Sequence, residues 1–522
     1  MVSEVKSGMV YGIEGEVITV QADISDGLPI FYMIGYLSAE VKEAKERVRT
    51  ALKNSGFFLP PKRVAVNLAP ADRKKCGTCF DLAIAVCLLV AMGVIAQEMV
   101  EGIIFLGELA LDGSLLTVDG VLPVLYRAGK EGYHKCILPM NNVDEASLLA
   151  DVEIVGAESL KDVFTYLTGV DKKNVYIKTV EVSDSQMFPA DGRKVEEDEI
   201  EGDIPDFRDV KGQKMAKRAI EIAVAGYHNL FLDGPPGAGK SLLASCIPGI
   251  MPHMNHKEMI DTTMIYSVKG LLKKGVSHVG RRPYRSPGHS ISPAGMFGGG
   301  TIPKPGEISL AHHGVLFLDE FAEYKKEMIE MFRIPLEQHR VLLTRNGRQY
   351  DFPCDFILIV AANPCPCGFY PDRRLCRCSV RQIERYQNKL SGPILDRIDM
   401  FVHCEKVSFQ ELTERSEEES SWSIRQRIEC AWEIQKDRFE KKSYAHNGRM
   451  DRDDMEKYCQ LNTVTKKLME RAFETFHLTG RSYYRILKTA RTIADLEGQD
   501  MILQHHLEEA LLFRKAGNYN FN

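Results

Sequence analysis

The sequence lacks any apolar run long enough to cross a membrane. Its longest such run, residues 82–96, has 15 residues and includes Gly93, whereas a spanning helix needs about 18 or more. The first twelve residues (MVSEVKSGMVYG) lack the apolar core of a signal peptide. We therefore expect residues 82–96 to form a buried helix, and the protein to be cytoplasmic and without membrane contact.

An excess of basic charge is also missing. Lys and Arg number 67 against 72 Asp and Glu, which gives a formal net charge of −5. A global basic field for nucleic acid or lipid is excluded, so any such surface must be local. We find no internal repeat or low-complexity tract. The composition, 44% hydrophobic and 27% charged residues, is that of a globular protein, and its length predicts about three domains.

Residues 1–168 mix strand and helix patterns and predict an α+β or α/β domain. Strands are expected at 17–22 and 63–68, and apolar spacing predicts a helix over 40–54. Asp112-Gly113 lies between two apolar runs, which is a hairpin signal. Residues 169–206 follow as a linker, because 196–206 carries seven acidic residues and no basic one.

Residues 207–404 alternate short apolar runs with helical patterns, as buried parallel strands and their connecting helices do. The runs lie at 230–233, 315–318 and 356–360. Residues 405–522 lack such runs and show only helical periods, which predicts an all-α C-terminal domain. The helical segments are 423–436, 465–476, 483–496 and 504–513.

A glycine-rich loop follows the first of these strands and opens an apolar helix. Backbone N–H groups of such a loop cradle phosphates, while its lysine reaches the β/γ-phosphates and its hydroxyl holds Mg²⁺. The alternative is a chance glycine-rich turn. The predicted ATP-binding residues are Gly234, Pro235, Pro236, Gly237, Ala238, Gly239, Lys240 and Ser241.

Two adjacent carboxylates directly follow the strand predicted at 315–318. Asp319 would orient Mg²⁺ through water, together with Ser241, and Glu320 would act as general base on the attacking water. The alternative is a strand followed by an acidic helix cap. The next run ends in Asn363, whose amide could hold the nucleophilic water or the γ-phosphate.

Arginines are candidates for two further contacts with the nucleotide. Arg397 precedes a strand at 400–403, where it could reach a neighbouring subunit's nucleotide as an arginine finger. The alternative is a surface pair between Arg397 and Asp399. In the helical tail, Arg481 or Arg485 could touch the γ-phosphate, and we favour Arg481.

Four of the thirteen cysteines fall within fourteen residues, in two Cys-x-Cys pairs of the insert 365–378. Such a set can supply tetrahedral thiolates for a structural Zn²⁺. Redox pairs and plain thiols remain alternatives, and all thirteen cysteines fit a reducing compartment. The predicted zinc ligands are Cys365, Cys367, Cys376 and Cys378.

Local basic surface is present despite the net charge. Residues 262–306 hold seven Lys or Arg and no acid, and 372–386 hold five Arg against two acids. A hairpin is predicted over 341–352, with Asn346-Gly347 at its turn. These segments suit phosphate-backbone contact, although solvated loops are the alternative. The predicted DNA-contacting residues of the hairpin are Arg345, Asn346 and Arg348.

The order of these features along the chain resembles that of AAA+ ATPases, in the branch that includes magnesium-chelatase subunits and MCM helicases. The order is phosphate loop, basic insert, acidic pair, hairpin, asparagine, arginine and helical lid. The sequence motifs themselves are similar to those of the YifB/ComM family of magnesium-chelatase-like ATPases. The segments that carry this resemblance are DVKGQ (209–213), RRPYRSPGHS (281–290), PGEISLAHHGVLFLDE (305–320), ANPCPCG (362–368), GPILDRID (392–399) and ARTIADLEG (490–498), with ADISDGLP (22–29), NLAPAD (67–72) and FLGELALDG (105–113) near the N-terminus.

This resemblance implies an α/β fold: an AAA+ P-loop module with an α-helical lid, preceded by an α+β Lon-protease-like domain. It also implies a homo-hexameric ring and a DNA motor for branch migration, acting on single-stranded or branched DNA during recombination of incoming DNA. Thr78 stands where a Lon-type protease has its serine, and 120–129 lacks the lysine. We therefore expect no peptidase activity.

We expect an Mg²⁺-dependent ATPase that remodels DNA, with ATP, Mg²⁺ and structural Zn²⁺ as its cofactors. One rival is a chelatase- or MoxR-type ATPase that remodels a protein complex without DNA. Another is a nucleotide-dependent scaffold, which Glu320 disfavours because a scaffold needs no general base.

Overall fold

The computed structural model describes residues 2–169, 175–178, 204–273, 275–345, 347–408 and 418–515. These residues form two compact units. Unit 1 comprises Met1–Asp198, Asn255–Gly280 and Pro303–Pro305, and unit 2 comprises Glu199–Met254, Arg281–Ile302 and Gly306–Asn522, each over its described residues.

Seventeen strands are found in the described ranges, most of them short. They are β1 (Ser3–Tyr11), β2 (Glu14–Ser25), β3 (Phe31–Ile34), β4 (Arg63–Ala69), β5 (Ile103–Phe105), β6 (Glu108–Leu109), β7 (Leu115–Leu116), β8 (Lys135–Pro139), β9 (Glu153–Ala157), β10 (Tyr176–Lys178), β11 (Leu230–Asp233), β12 (Tyr284–Arg285), β13 (Val315–Leu318), β14 (Arg340–Arg345), β15 (Arg348–Pro353), β16 (Ile357–Ala362) and β17 (Met400–His403).

The helices of the same ranges vary in length from 4 to 18 residues. They are α1 (Ala39–Asn54), α2 (Asp81–Ala91), α3 (Val121–Lys130), α4 (Val143–Ala146), α5 (Leu160–Thr168), α6 (Lys214–Gly226), α7 (Lys240–Ser245), α8 (Ile247–Ile250), α9 (His256–Lys269), α10 (Pro293–Phe297), α11 (Glu307–Leu310), α12 (Lys326–Met331), α13 (Pro335–Gln338), α14 (Val380–Gln387), α15 (Gly392–Leu395), α16 (Ser421–Arg438), α17 (Arg452–Tyr458), α18 (Thr463–Thr475), α19 (Gly480–Leu496) and α20 (Gln504–Lys515).

Unit 1 is built on an eight-stranded mixed sheet with the order β10-β9-β8-β5-β1-β2-β4-β3. Helix α1 confirms the helix predicted over 40–54: the Ser38 side chain caps it, and the apolar face is buried. Helix α2 is buried almost throughout but ends at Ala91, so the buried helix expected over 82–96 forms only in the first part of that run. The predicted hairpin at Asp112-Gly113 forms between β6 and β7.

Two boundaries expected from the sequence differ from the structure. The predicted linker 169–206 contains a strand, because β10 pairs with β9. Helix α9, expected within the 207–404 core, belongs to unit 1. Its Ile260 and Met264 are buried in a cluster with α3, and its Ser267 hydroxyl donates a hydrogen bond to the buried Glu145. The apolar residues of α9 thus decide which unit the helix joins.

Unit 2 contains a five-stranded parallel sheet with the order β12-β13-β16-β11-β17. Strands β11, β13 and β17 have the predicted bounds, and their residues are almost all buried. The carboxyl ends of parallel strands meet at one edge, where ligands bind in folds of this kind. The residues that follow β11, β13 and β16 therefore converge there.

The C-terminal region of unit 2 is helical, as predicted. Helices α16, α18, α19 and α20 cover the four predicted segments, and α17 lies between the first two. Residues of α16 and α19 share one buried core with β11, β13 and β16. Among the described residues, no helix combines the length and the apolar character that a membrane span requires.

Candidate nucleotide-binding site and cysteine cluster

The phosphate loop connects β11 to α7, and its glycines occupy positions that other residues would strain. Gly237 and Gly239 have φ of 78° and 81°, in the left-handed region that favours glycine. A Cβ atom on Gly234 would lie 2.3 Å from the carbonyl oxygen of Cys404, beyond β17. The loop thus passes too close to β17 for any side chain at its first position.

Lys240 is the buried cation of this loop. Its Nζ donates to the carbonyl oxygens of Gly234 and Pro235, at 2.7 and 3.0 Å. It also donates to Asn363 Oδ1 at 3.1 Å. Burial lowers the pKa of Lys240. The structure therefore brings the asparagine that follows β16 to the loop that follows β11.

Ser241 and Asp319 lie together at the same edge of the sheet. Ser241 Oγ donates to Asp319 Oδ2 at 2.6 Å, and Asp319 Oδ1 accepts the backbone N–H of Glu320 at 2.8 Å. Hydroxyl and carboxylate oxygens are ligands that Mg²⁺ accepts alongside phosphate oxygens. The donor set fits a magnesium ion held between the two loops.

Glu320 has an unusual backbone conformation and lies near a residue that the sequence analysis did not connect with it. Its φ is 49°, in the left-handed region, and its half-exposed carboxylate lies 3.7 Å from His289 Nδ1. The His289 ring meets the edge of Tyr324, whose hydroxyl donates to Pro287 O at 2.6 Å. The motif RRPYRSPGHS contained His289, but nothing in it indicated contact with Glu320.

Gln213 is a second residue to which the sequence analysis assigned no role at the site. Its side-chain amide donates to Ala238 O at 3.0 Å and to Glu405 O at 2.5 Å. It thus joins the phosphate loop to the chain that leaves β17. The motif DVKGQ, which ends at Gln213, was the available signal.

Arg397 lies at the opposite edge of the sheet from the phosphate loop. Its carbonyl oxygen accepts from Asn229 Nδ2, immediately before β11, and β11 runs parallel to β17. Four strand residues at about 3.3 Å each separate that edge from Gly234, or about 13 Å. The guanidinium is buried against Arg333 O, Pro393 O and the Glu337 carboxylate.

The alternative pair between Arg397 and Asp399 does not form. Asp399 instead binds Arg485, which holds this aspartate at the same edge. Arg481 is exposed. Burial lowers the pKa of Arg397, and the nearby charge of Arg481 lowers it further. Arg397, Arg481 and Arg485 therefore form one arginine cluster at the edge remote from their own phosphate loop.

The four cysteines of the insert come together. Their sulfur atoms all lie within 4.8 Å of one another. The separations from Cys365 to Cys367 and Cys376 are 3.4 and 3.8 Å, and Cys367 lies 3.6 Å from Cys376. Sulfurs at 2.3 Å from a tetrahedral zinc ion are about 3.8 Å apart, so the cluster, which also contains Cys378, fits a closed zinc site. All thirteen cysteines are free thiols.

The predicted hairpin forms from β14 and β15, with Arg345 opposite Arg348. Arg345 is exposed and Arg348 is half-buried. Gly347 in the turn has a φ of 73°, and Asn346 lies outside the described residues. The hairpin stands apart from the five-stranded sheet, as a separate two-stranded sheet.

Two arginines of the basic segment 262–306 are engaged within the protein. Arg282 is buried, donates to three backbone carbonyls and stacks over Trp432. Arg285 forms a two-bond pair with Glu307, at 2.6 and 2.9 Å. In the second basic segment, 372–386, five arginines are exposed: Arg373, Arg374, Arg377, Arg381 and Arg385.

Models of magnesium chelatase families match most of the chain. The model described as magnesium chelatase, subunit ChlI, matches residues 206–412. A model for subunit ChlI of Mg-chelatase matches 20–142, and one for the ChlI C-terminal region matches 418–514.

Curated relatives match nearly the full length. Competence protein ComM of Haemophilus influenzae is 39% identical over 96% of this chain and 95% of its own. The uncharacterized protein YifB of Salmonella typhimurium is 38% identical with the same coverage. Lon protease 2 of Bacillus subtilis is 29% identical over 153 residues, 26% of each chain.

The parallel sheet and the convergence of Lys240, Ser241, Asp319 and Asn363 define an AAA+ ATPase. With these matches, the chain belongs to the ComM/YifB family of magnesium-chelatase-like AAA+ ATPases.

Proposed function

We propose that the protein is a cytoplasmic, Mg²⁺-dependent ATPase that forms a ring and remodels DNA without reading its sequence. The observation that carries the proposal is the contrast between two edges of one sheet. Lys240, Ser241 and Asp319 meet at the carboxyl edge, whereas Arg397 lies at the amino edge. An arginine on that side serves a nucleotide only when a neighbouring subunit presents one.

Each residue of the phosphate site has a distinct role in hydrolysis. Lys240 binds the β/γ-phosphates in place of the loop carbonyls that it now contacts. Ser241 and Asp319 hold Mg²⁺, which supplies charge neutralisation at the transferring phosphate. Glu320 takes a proton from the attacking water, and Asn363 orients that water or the γ-phosphate.

The arginine cluster completes the site of the next subunit. Arg397 exchanges the Glu337 carboxylate, its present partner, for the γ-phosphate of the neighbour's ATP. Exposed Arg481, beside it, adds a second positive charge at the same interface. A contact of this kind is head-to-tail, and it closes into a ring when the rotation permits. We propose a homo-hexamer.

DNA contact is assigned to two basic surfaces of unit 2. The first is the hairpin end, with Arg345, Asn346 and Arg348. The second is the segment 372–386, which overlaps the cysteine insert and has five exposed arginines against two acids. Arginines that bind phosphates give affinity without sequence information. The family resemblance implies recombination of incoming DNA on single-stranded or branched substrates, and one relative is named a competence protein.

The cysteine cluster is assigned to one structural Zn²⁺ per chain. The sulfur separations support this, and four protein thiolates leave no open position for catalysis. Metal analysis of the purified protein tests it: we expect near-stoichiometric zinc in the wild type and little in the double variant Cys376→Ser/Cys378→Ser. A folded, active wild type without metal would contradict the assignment.

The function is tested by the ATPase rate without DNA and with single-stranded, duplex or branched DNA. We expect stimulation by DNA of any sequence, and Glu320→Gln as the matched control should stay inactive with every substrate. Robust ATPase activity that no DNA alters would contradict the DNA proposal and favour an ATPase that remodels a protein complex.

A further inference from the structure

The segment 363–368, which leads into the cysteine insert, touches the phosphate loop at two points. Asn363, two residues before Cys365, accepts a hydrogen bond from Lys240 Nζ at 3.1 Å. Gly368, one residue after Cys367, lies against Pro236: a Cβ atom on Gly368 would be 2.3 Å from Pro236 Cδ. The chain between these two contacts carries the first Cys-x-Cys pair.

The other end of the insert is fastened to the same segment. Helix α14 begins directly after Cys378, with Ser379 as its cap. From this helix, Gln387 Nε2 donates to Pro364 O at 3.0 Å, and the Tyr386 hydroxyl hydrogen-bonds to the backbone of Asn363. Residues 363–368 are thus held between the four sulfurs and the phosphate loop.

We propose that metal in the cysteine cluster fixes the position of the phosphate loop, so that nucleotide affinity depends on the metal. The proposal rests on the ATP and zinc assignments above and adds a coupling between them. Gly368 is the positioning residue through which the cluster acts on Pro236. Its backbone N–H donates to Cys365 O at 2.9 Å, which ties it to the first Cys-x-Cys pair.

The physical basis is the crowding of four sulfurs within 4.8 Å. Bound metal would hold the four sulfurs at one point, and without it no bond joins the two Cys-x-Cys pairs. Gly368, one residue beyond the first pair, then loses its fixed position against Pro236. Phosphate binding by backbone N–H groups depends on their geometry, so a displaced loop binds nucleotide more weakly.

The first arm of the test uses the wild-type protein. Nucleotide affinity is measured with a fluorescent ATP analogue in excess Mg²⁺, before and after a zinc-selective chelator removes the metal. We expect the dissociation constant to rise at least tenfold and to recover when zinc is restored. Unchanged affinity in protein shown to be free of zinc would overturn the coupling while leaving both the zinc and the ATP assignments intact.

The second arm separates the contact from the metal. Gly368→Ala should keep its zinc, by metal analysis, yet bind the analogue at least tenfold more weakly. Gly498→Ala is the matched control, because Gly498 also has a positive φ, of 65°, but open space around it. Wild-type affinity in folded, zinc-loaded Gly368→Ala would overturn the proposal. A wild type that lacks zinc would refute the zinc assignment, and one that binds no nucleotide would refute the ATPase.

Discussion

Ser241 donates a hydrogen bond to Asp319 across 78 residues of sequence, at 2.6 Å. The contact joins the first turn of α7, after β11, to the loop after β13, and these two strands are separated in the sheet by β16. It also places the hydroxyl and carboxylate where one Mg²⁺ can contact both. Loss of either partner should therefore impair hydrolysis, whereas substitutions at Lys240 and Glu320 should have distinguishable effects.

Lys240→Ala should abolish nucleotide binding, and Glu320→Gln should bind ATP without hydrolysing it. The reason is that Lys240 contacts ground-state phosphates, whereas Glu320 acts only on the attacking water. Removal of a positioned base typically costs ~10²–10⁴ in rate. Equilibrium binding and single-turnover hydrolysis measure the two effects, and wild-type hydrolysis by Glu320→Gln would contradict its role.

Arg397→Ala should bind ATP normally but hydrolyse it slowly, because the arginine acts on the neighbouring subunit. Mixing Arg397→Ala with Lys240→Ala should restore some activity, at interfaces where an intact Arg397 faces an intact phosphate loop. Turnover of the mixture is the measurement, with each variant alone as the control. No recovery in rings shown to contain both variants would place the finger elsewhere.

Removing charge from the hairpin should weaken DNA binding while leaving basal ATPase activity unchanged. In Arg345→Ala/Arg348→Ala, up to two phosphate contacts are lost, and each contributes about 0.9 to the slope of log affinity against log salt for duplex DNA. We expect a slope flatter by up to ~2, the same for different sequences. As a control, Arg340→Ala removes an exposed charge at the base of the same hairpin. Equal effects of both changes would argue against contact at the hairpin end.

Acidification should destabilise unit 2 through His228. Burial lowers the pKa of His228 to about 4, against 6.5 in the unfolded chain. The unfolded state therefore binds the proton first, and stability falls as the pH drops from 6.5 toward 4. Between pH 7 and 5 this amounts to about 2 kcal/mol. His228→Gln cannot titrate and can still bond to Thr492, its partner at 2.8 Å, so denaturant unfolding should show a smaller pH dependence. An identical pH dependence in both proteins would refute the assignment.

The parts of the site that follow short apolar strands could be predicted from sequence. Strands β11 and β13 are buried on both faces, so their bounds coincide with continuous apolar runs, and the polar residues after them must lie at the carboxyl edge. Lys240, Asp319 and Asn363 were located in this way. Cys365 to Cys378 lie close in sequence, and their convergence needed no long-range information.

Contacts between distant segments could not be predicted. Arg397 forms an ion pair with Glu337, and Gly368 packs against Pro236. Both contacts depend on how the loops pack, and no local sequence pattern indicates that packing. The ion pair between Asp399 and Arg485 also depends on the packing of segments that are distant in the sequence. Helix α9 shows the limit for domain boundaries, since it lies within 207–404 in the sequence but its Ile260 and Met264 are buried in unit 1.

The most direct test of a DNA-remodelling motor is ATP-driven displacement of a labelled strand from a branched DNA. The wild type should displace the strand only with ATP and Mg²⁺, and Glu320→Gln should bind the same DNA without displacing it. Arg345→Ala/Arg348→Ala should hydrolyse ATP but displace little. Active ATP hydrolysis by wild-type rings on bound DNA, with no strand displaced, would contradict the account.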